Sequence, residues 1–311
     1  MKPIACLATA LALLFGCAAP APAAPTLCEA TWTDTARGRE VPVRIRLPER
    51  GGRVPLILFS HGLGGSLDSG TAWAEAWAQA GFAVINLQHP GSDRGIVGGG
   101  RRALLRAMAP EQLAARAGDV GFVIGTVGRG GREGRCDLGR IDPRRIGMSG
   151  HSYGAHTTQA VAGQDFSRRS GGDLTEPRIR AAIAFSPSPP FRGSAEAAFD
   201  DIAIPFFSIT GTEDRVPFLP MITPADRERP FRAMPPGGKY LLVLAGADHM
   251  AFNAGGDPRP RRVEPDQRIV ALVVEATTDF WRWTLADDPE ARRRLDALPA
   301  RLAPGDRFER K

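Results

Sequence analysis

The sequence predicts an α/β chain, a mostly parallel sheet flanked by helices. Three observations carry this: short apolar runs recur between turn residues, helical patterns lie between those runs, and a G-x-S-x-G turn stands where one run passes into a helical pattern.

The runs are "VPLILFS" (54–60), "GFAVINL" (81–87), "RIGMSG" (145–150), "RAAIAFS" (180–186), "IPFFSIT" (204–210) and "KYLLVLAG" (239–246). They are apolar at consecutive positions, so each reads as a strand covered on both faces. Parallel neighbours need connections long enough to hold a helix. Between the runs, Trp73, Ala76, Trp77 and Ala80 form one helical stripe, with Ser69 as N-cap and Gly81 as stop. Ile269, Leu272, Val273, Ala276, Phe280 and Trp283 predict an amphipathic helix over 266–285, and the residues beyond it read as a surface tail or helix. Ahead of the first run, "VPVRIRLP" (41–48) alternates as an outer antiparallel strand would. Two stretches follow neither period. Residues 89–112 read as an insertion holding a short helix over one end of the sheet. In 215–237, rich in proline, Phe218, Leu219, Met221 and Ile222 either line a pocket or pack on the core.

A length of 311 residues with 43% hydrophobic content suits one domain, expected over 24–311. The start has Lys2, an apolar run from Ile4 to Phe15 too short to span a membrane, then small residues, which predicts an export signal over 1–23. Cleavage after Ala23 would release a periplasmic or secreted protein. Lipid attachment at Cys17, where "LFGC" resembles a lipobox, would instead give a membrane or outer-surface lipoprotein. Either exit leaves Cys28 and Cys136, as a disulfide in an oxidising compartment or as two separate buried thiols. The net charge is +6, but the arginines are scattered among acids, which is no nucleic-acid footprint; "RPRR" (259–262) reads as a solvated loop. There is no H-E-x-x-H and no paired C-x-x-C, and "GGG" (98–100) lacks the lysine of a phosphate loop, so neither a metal nor another cofactor is expected. No obligatory protein partner is inferred.

The chemistry centres on "RIGMSGHSYGAHTTQA" (145–160). Gly150 and Gly154 remove side chains from a sharp turn with Ser152 at its apex. A serine nucleophile in such a sheet needs an acid and then a histidine at the ends of later strands. Asp214 follows "IPFFSIT" and His249 follows "KYLLVLAGA", in that order. His249 would take the serine proton, and Asp214 would hold the ring in the right tautomer; Glu213, Asp248 and Asp201 are rival acids. Amides of Tyr153, after the serine, and of Leu63, in "HGLGG" (61–65), would face the oxyanion. His61, His89, His151 and His156 read as structural or pocket-wall residues, and Phe218, Met221 and Phe252 as pocket residues.

These residues resemble the α/β-hydrolases, and within them bacterial proteins similar to platelet-activating-factor acetylhydrolase and to predicted dienelactone hydrolases. The likeness rests on "SHGLGGS", "NLQHPGSD", "RIGMSGHSYGAHT", "ITGTEDRVP" and "AGADHMAF", between residues 40 and 285. It implies an eight-stranded α/β-hydrolase fold, cofactor-free ester hydrolysis, a triad of Ser152, Asp214 and His249, and an oxyanion hole at Leu63 and Tyr153. Ser152 stands where dienelactone hydrolases carry cysteine. "AFSPSPP" holds no acid where the mammalian lipid acetylhydrolases place theirs, so Asp214 follows the arrangement of secreted bacterial polyesterases and lipases. The expectation is an exported serine hydrolase of small-molecule or lipid esters, short in the acyl chain, working through an acyl-enzyme. The alternatives are a lipase or polyester hydrolase and an inactive hydrolase-fold binding protein.

Overall fold

The computed structural model describes residues 24–49, 51–166, 172–190, 193–216, 219–255 and 266–311; the signal-like start with Cys17, the "RPRR" cluster and Phe218 lie outside the described residues. In chain order the elements are β1 (Thr26–Asp34), β2 (Arg39–Leu47), β3 (Val54–Ser60), α1 (Thr71–Gln79), β4 (Ala83–Leu87), α2 (Gly100–Ala107) and α3 (Pro110–Arg129). There follow the two-residue strands β5 (Arg132–Glu133) and β6 (Cys136–Asp137), β7 (Ile141–His151), α4 (Tyr153–Val161), β8 (Ile179–Phe185), α5 (Ala195–Phe199) and β9 (Phe206–Glu213). The chain closes with α6 (Arg229–Ala233), β10 (Lys239–Asp248), α7 (Gln267–Ala286), α8 (Pro289–Asp296) and β11 (Arg307–Arg310).

One nine-stranded sheet runs in the order β1-β2-β4-β3-β7-β8-β9-β10-β11. From β4 to β10 every neighbouring pair is parallel. The antiparallel strands are β1 and β2 at one edge and β11 at the other. The consecutive apolar runs have the expected cause. In β3, Ile57 and Phe59 enter one core with Trp73 and Trp77 of α1 and Val273, Phe280 and Trp281 of α7. Leu56 and Leu58 enter another, with Val120, Val123 and Ile124 of α3. Alternate side chains leave a strand on opposite faces, so helices on both faces demand apolar residues at every position.

Three expectations are corrected, and one left open is decided. The sheet has nine strands where the resemblance implies eight, because the C-terminal tail ends as β11, whose Phe308 sits opposite Leu242 and packs its ring on Phe207 and Tyr240. A segment of sequence RFER has almost no apolar signal; it is held by backbone bonds to the otherwise open edge of β10. β2 is antiparallel but not outermost: β1 covers it, with Cys28 opposite Ile45 and Trp32 opposite Val41. The N-cap of α1 is Gly70, in the left-handed region at φ 71°, rather than Ser69. The described residues of 215–237 pack on the core, with Phe231 on Leu241 and Val243 and with Met234 buried, while Met221 is 71% exposed. The insertion at 89–112 does carry its short helix, α2.

Cys28 and Cys136, 108 residues apart in sequence, form a disulfide that ties β1 to β6. Disulfides persist in oxidising compartments, so the bond fits an exported protein. Among the described residues, no helix is long and apolar enough to cross a membrane.

Candidate active site

Parallel strands in register bring their carboxyl ends to one edge of the sheet. Ser60 lies opposite Gly150, His151 opposite Phe185, and Glu213 opposite Asp248. The residues just beyond β3, β7, β9 and β10 therefore gather in one place.

Ser152 joins β7 to α4 at φ 58°, ψ −115°, a conformation that costs a non-glycine residue about 1–3 kcal/mol. It is tolerated because its surroundings over-determine it. The Ser152 amide donates to Phe185 O at 2.9 Å. A Cβ on Gly154 would overlap the Ser60 carbonyl oxygen and lie 2.7 Å from Ser60 C, while one on Gly150 would stand 2.8 Å from Ser60 O. The two glycines let β3 and α4 close on the turn.

His249 is brought round by a bulge. Between Leu244 and Asp248, β10 advances four residues while β9 advances two, from Gly211 to Glu213. A side chain on Gly211 would run into Ala247, so this crossing requires glycine in "ITGTED". Asp248 then caps the 3-10 turn His249–Phe252, accepting from the Met250 and Ala251 amides at 2.9 and 2.8 Å. His249 Nδ1 lies 2.7 Å from Asp214 Oδ1 and Nε2 lies 2.9 Å from Ser152 Oγ. With the Nδ1 proton donated to the carboxylate, Nε2 is the acceptor facing the hydroxyl. Asp214 is wholly buried, and its second oxygen accepts from Thr210 Oγ1 at 2.7 Å. Burial alone would raise its pKa; the His249 hydrogen bond and the Arg227 charge outweigh it and hold the carboxyl at about 2. Of the rival acids, Glu213, Asp248 and Asp201 are all exposed.

The "HGLGG" loop runs beside the serine, so that a Cβ on Gly62 would touch Ser152 Cβ at 3.5 Å. The Gly64 amide donates to Ser92 O and the Gly65 amide to Gly62 O, whereas the Leu63 amide just before them makes no hydrogen bond among the described residues. The Tyr153 amide opens α4, whose first-turn N–H groups have no partner within the helix. Beneath the loop lies Arg116, wholly buried, which sequence reasoning missed. It donates to Thr157 Oγ1 at 2.7 Å, Ser92 Oγ at 2.9 Å, Ser60 Oγ at 2.8 Å and His61 O at 2.5 Å. An arginine on an amphipathic helix reads as solvent-facing until the helix is docked, so the sequence carries no sign of this role.

The remaining histidines are structural in their contacts. His61 Nδ1 donates to Gly62 O at 2.6 Å and Nε2 accepts from the His89 amide at 2.9 Å. His89 bridges Asp119 Oδ2 and Ser60 Oγ, 2.9 Å each, a chain of the same three residue types as at Ser152 but wholly buried, out of reach of any substrate. His151 donates from Nε2 to the His249 carbonyl at 2.7 Å. His156 is buried in α4. Phe252 is fully buried, stacked on Phe185 with its carbonyl taken by Trp73 Nε1, so it fills the core rather than facing a pocket. Met221 is exposed, and Phe218 lies outside the described residues. No cluster of metal-ligating side chains is found among the described residues.

Chemically, the arrangement offers a hydroxyl with a neutral acceptor nitrogen behind it, a carboxylate behind the ring, and amides beside the oxygen. In comparisons with known proteins, no family model matches the chain and no curated protein matches it.

Proposed function

We propose that the chain is an exported serine hydrolase of small or short-acyl carboxylic esters, with the α/β-hydrolase fold it resembles. The observation that carries this reading is the hydrogen-bonded chain from Ser152 Oγ through His249 to buried Asp214, set on a strained turn at the carboxyl end of a central parallel strand.

The steps follow from the geometry. His249 Nε2 takes the proton of Ser152 as Oγ attacks the ester carbonyl. The oxyanion that forms is met by the Leu63 and Tyr153 amides. Collapse breaks the bond to the alcohol, which leaves with the proton from His249. Water then repeats the sequence against the acyl-enzyme and restores the serine. Asp214, ionised throughout, stabilises the imidazolium in each half. Beside the serine the Tyr153 ring is buried with Leu113, with half-buried Leu63 and Phe166 packed against it, and the acyl length accepted there is what the assay reads.

The test is hydrolysis of p-nitrophenyl esters from acetyl to palmitoyl, with Ser152→Ala measured alongside. A rate that falls with acyl length and vanishes in the variant is expected. Rates that rise toward palmitoyl would favour a lipase. Folded protein that neither turns over esters nor reacts with a fluorophosphonate would overturn the proposal in favour of a binding protein.

A further inference from the structure

Arg227 is 2% exposed, in the 3-10 turn Ala225–Glu228 of the proline-rich segment, and its guanidinium closes on the back of the relay. Nε stands 2.9 Å from Asp214 Oδ1, the oxygen that also accepts the His249 Nδ1 proton. Nη1 donates to the Ser186 and Pro187 carbonyls, 3.1 Å each, which fixes the plane of the group. Nη2 lies 3.5 Å from His249 Nδ1. Because Nδ1 carries its own proton toward Asp214, there is no lone pair for the guanidinium to meet, and the contact sets a full positive charge against the ring.

We propose that Arg227 is a positioning residue that sets the acid limit of the relay: its fixed charge opposes protonation of the His249 ring and keeps the base free at lower pH. The inference rests on reading Ser152, His249 and Asp214 as a hydrolytic relay.

The groups facing the ring divide cleanly. Asp214, at the end of β9, favours the charged ring; Arg227 opposes it. His151, from β7, has its ring centroid 4.7 Å away, but it is held neutral, first by burial and then by His249, and donates to the His249 carbonyl. Asp248 is exposed and occupied in capping the turn. Asp226, beside Arg227 in the chain, is bound to Thr223 and Arg229. Among the described residues, the buried charges against the ring are thus one anion and one cation. The second cation on Oδ1 also draws the carboxylate away from the imidazolium, so both effects have the same sign.

A neighbouring charge within about 4–6 Å shifts a titration by about 1–3 units, and a like charge disfavours the charged form. Arg227→Met and Arg227→Gln are therefore expected to move the acid limb of kcat/KM for p-nitrophenyl acetate to higher pH by about one unit or more. At the pH where the wild type is half-active, each would keep about a tenth of its own plateau. Arg227→Lys, which keeps a cation near Asp214 but draws it back from Nδ1, should lie between. The same order is expected for the ring titration of His249, followed by NMR in histidine-labelled protein and assigned with His249→Gln. A lowered plateau with an unmoved midpoint would make Arg227 merely structural and overturn the proposal. If the neutral variants do not fold, an Arg227→Lys midpoint equal to the wild-type value overturns it as well. Wild-type protein without turnover or fluorophosphonate labelling would sink the esterase reading instead, and the ring titration would still decide the role of Arg227.

Discussion

Replacing Gly154 by alanine sets the local preference of a helix against the demand of the turn, because the two have opposite signs. Gly154 is the second residue of α4. Alanine for glycine in a helix ordinarily gains about 0.5–1 kcal/mol. Here the new Cβ would overlap Ser60 O and stand 2.7 Å from Ser60 C and 2.9 Å from His61 O. The carbon pair alone is about 1 Å short of ordinary contact. That end of β3 has little room to yield, since Ser60 pairs with Gly150 and Arg116 holds both Ser60 Oγ and His61 O. Overpacking of this kind costs about 1–3 kcal/mol or more, so the net change is a loss despite the helical gain. A retreat of α4 by about 1 Å also carries Ser152 away from His249, and a misplacement of that size lowers turnover about 100-fold. Urea unfolding followed by far-UV circular dichroism, beside the ester assay, reads both quantities. Gly125→Ala in α3 is the control: its nearest atoms are the ends of Arg129 at 3.8 Å and Arg178 at 4.0 Å, so it should gain stability. A Gly154→Ala protein as stable as the wild type and equally active would refute the close-packed turn.

Three further outcomes follow from the buried groups. His89 and His156 are pushed down to about 4, by burial first and then by the Arg116 charge; His61 and His151 are also moved well below the ordinary value, by burial first. Their folded values lie below the unfolded value of about 6.5, so the unfolded chain binds protons that the folded one does not, and stability falls as pH drops from about 6.5 to about 4 by up to about 1.4 kcal/mol per unit for each histidine. Asp119 and Asp214, each at about 2, act lower: their contribution holds above about pH 4 and is lost only toward pH 2. Urea midpoints unchanged between about pH 7.5 and 4.5 would contradict the buried neutral rings. Removing the disulfide, which closes a 108-residue separation, by Cys28→Ser with Cys136→Ser should lower stability by about 2–5 kcal/mol, and a reductant should do the same to the wild type; an unmoved midpoint in both would deny the bond that role. Arg116→Met strips donors from four buried acceptors, each worth about 1–3 kcal/mol when left unpaired, and loosens the loop that carries Leu63. Stability should fall by at least about 3 kcal/mol and kcat should fall with KM little changed; a stable variant with wild-type kcat would show that the loop needs no such clamp.

Much of this was legible in the chain because it depends on short-range pattern. Buried strands announce themselves by consecutive apolar residues, as in "VPLILFS", and α7 by its stripe from Ile269 to Trp283. Edges do not: β1 alternates with modest residues such as Cys28, Ala30 and Trp32, and β11 is held mainly through its backbone. Phe252 follows His249 so closely that it reads as a pocket wall, yet the turn that aims His249 at Ser152 sends Phe252 into the core.

The sequence by itself determined the buried central strands and the helices α1 and α7, and it set Ser152, Asp214 and His249 in order beyond the ends of buried strands, since apolar period and turn glycines are local properties. Only the tertiary structure decided that Asp214, rather than Glu213 or Asp248, meets the ring, that Cys28 finds Cys136, and that Arg116 and Arg227 turn inward to bind the loop and the carboxylate. These are contacts between elements far apart in the chain. They exist because parallel strands in register bring their ends within hydrogen-bond reach, and a buried charge is stable only where such partners converge on it.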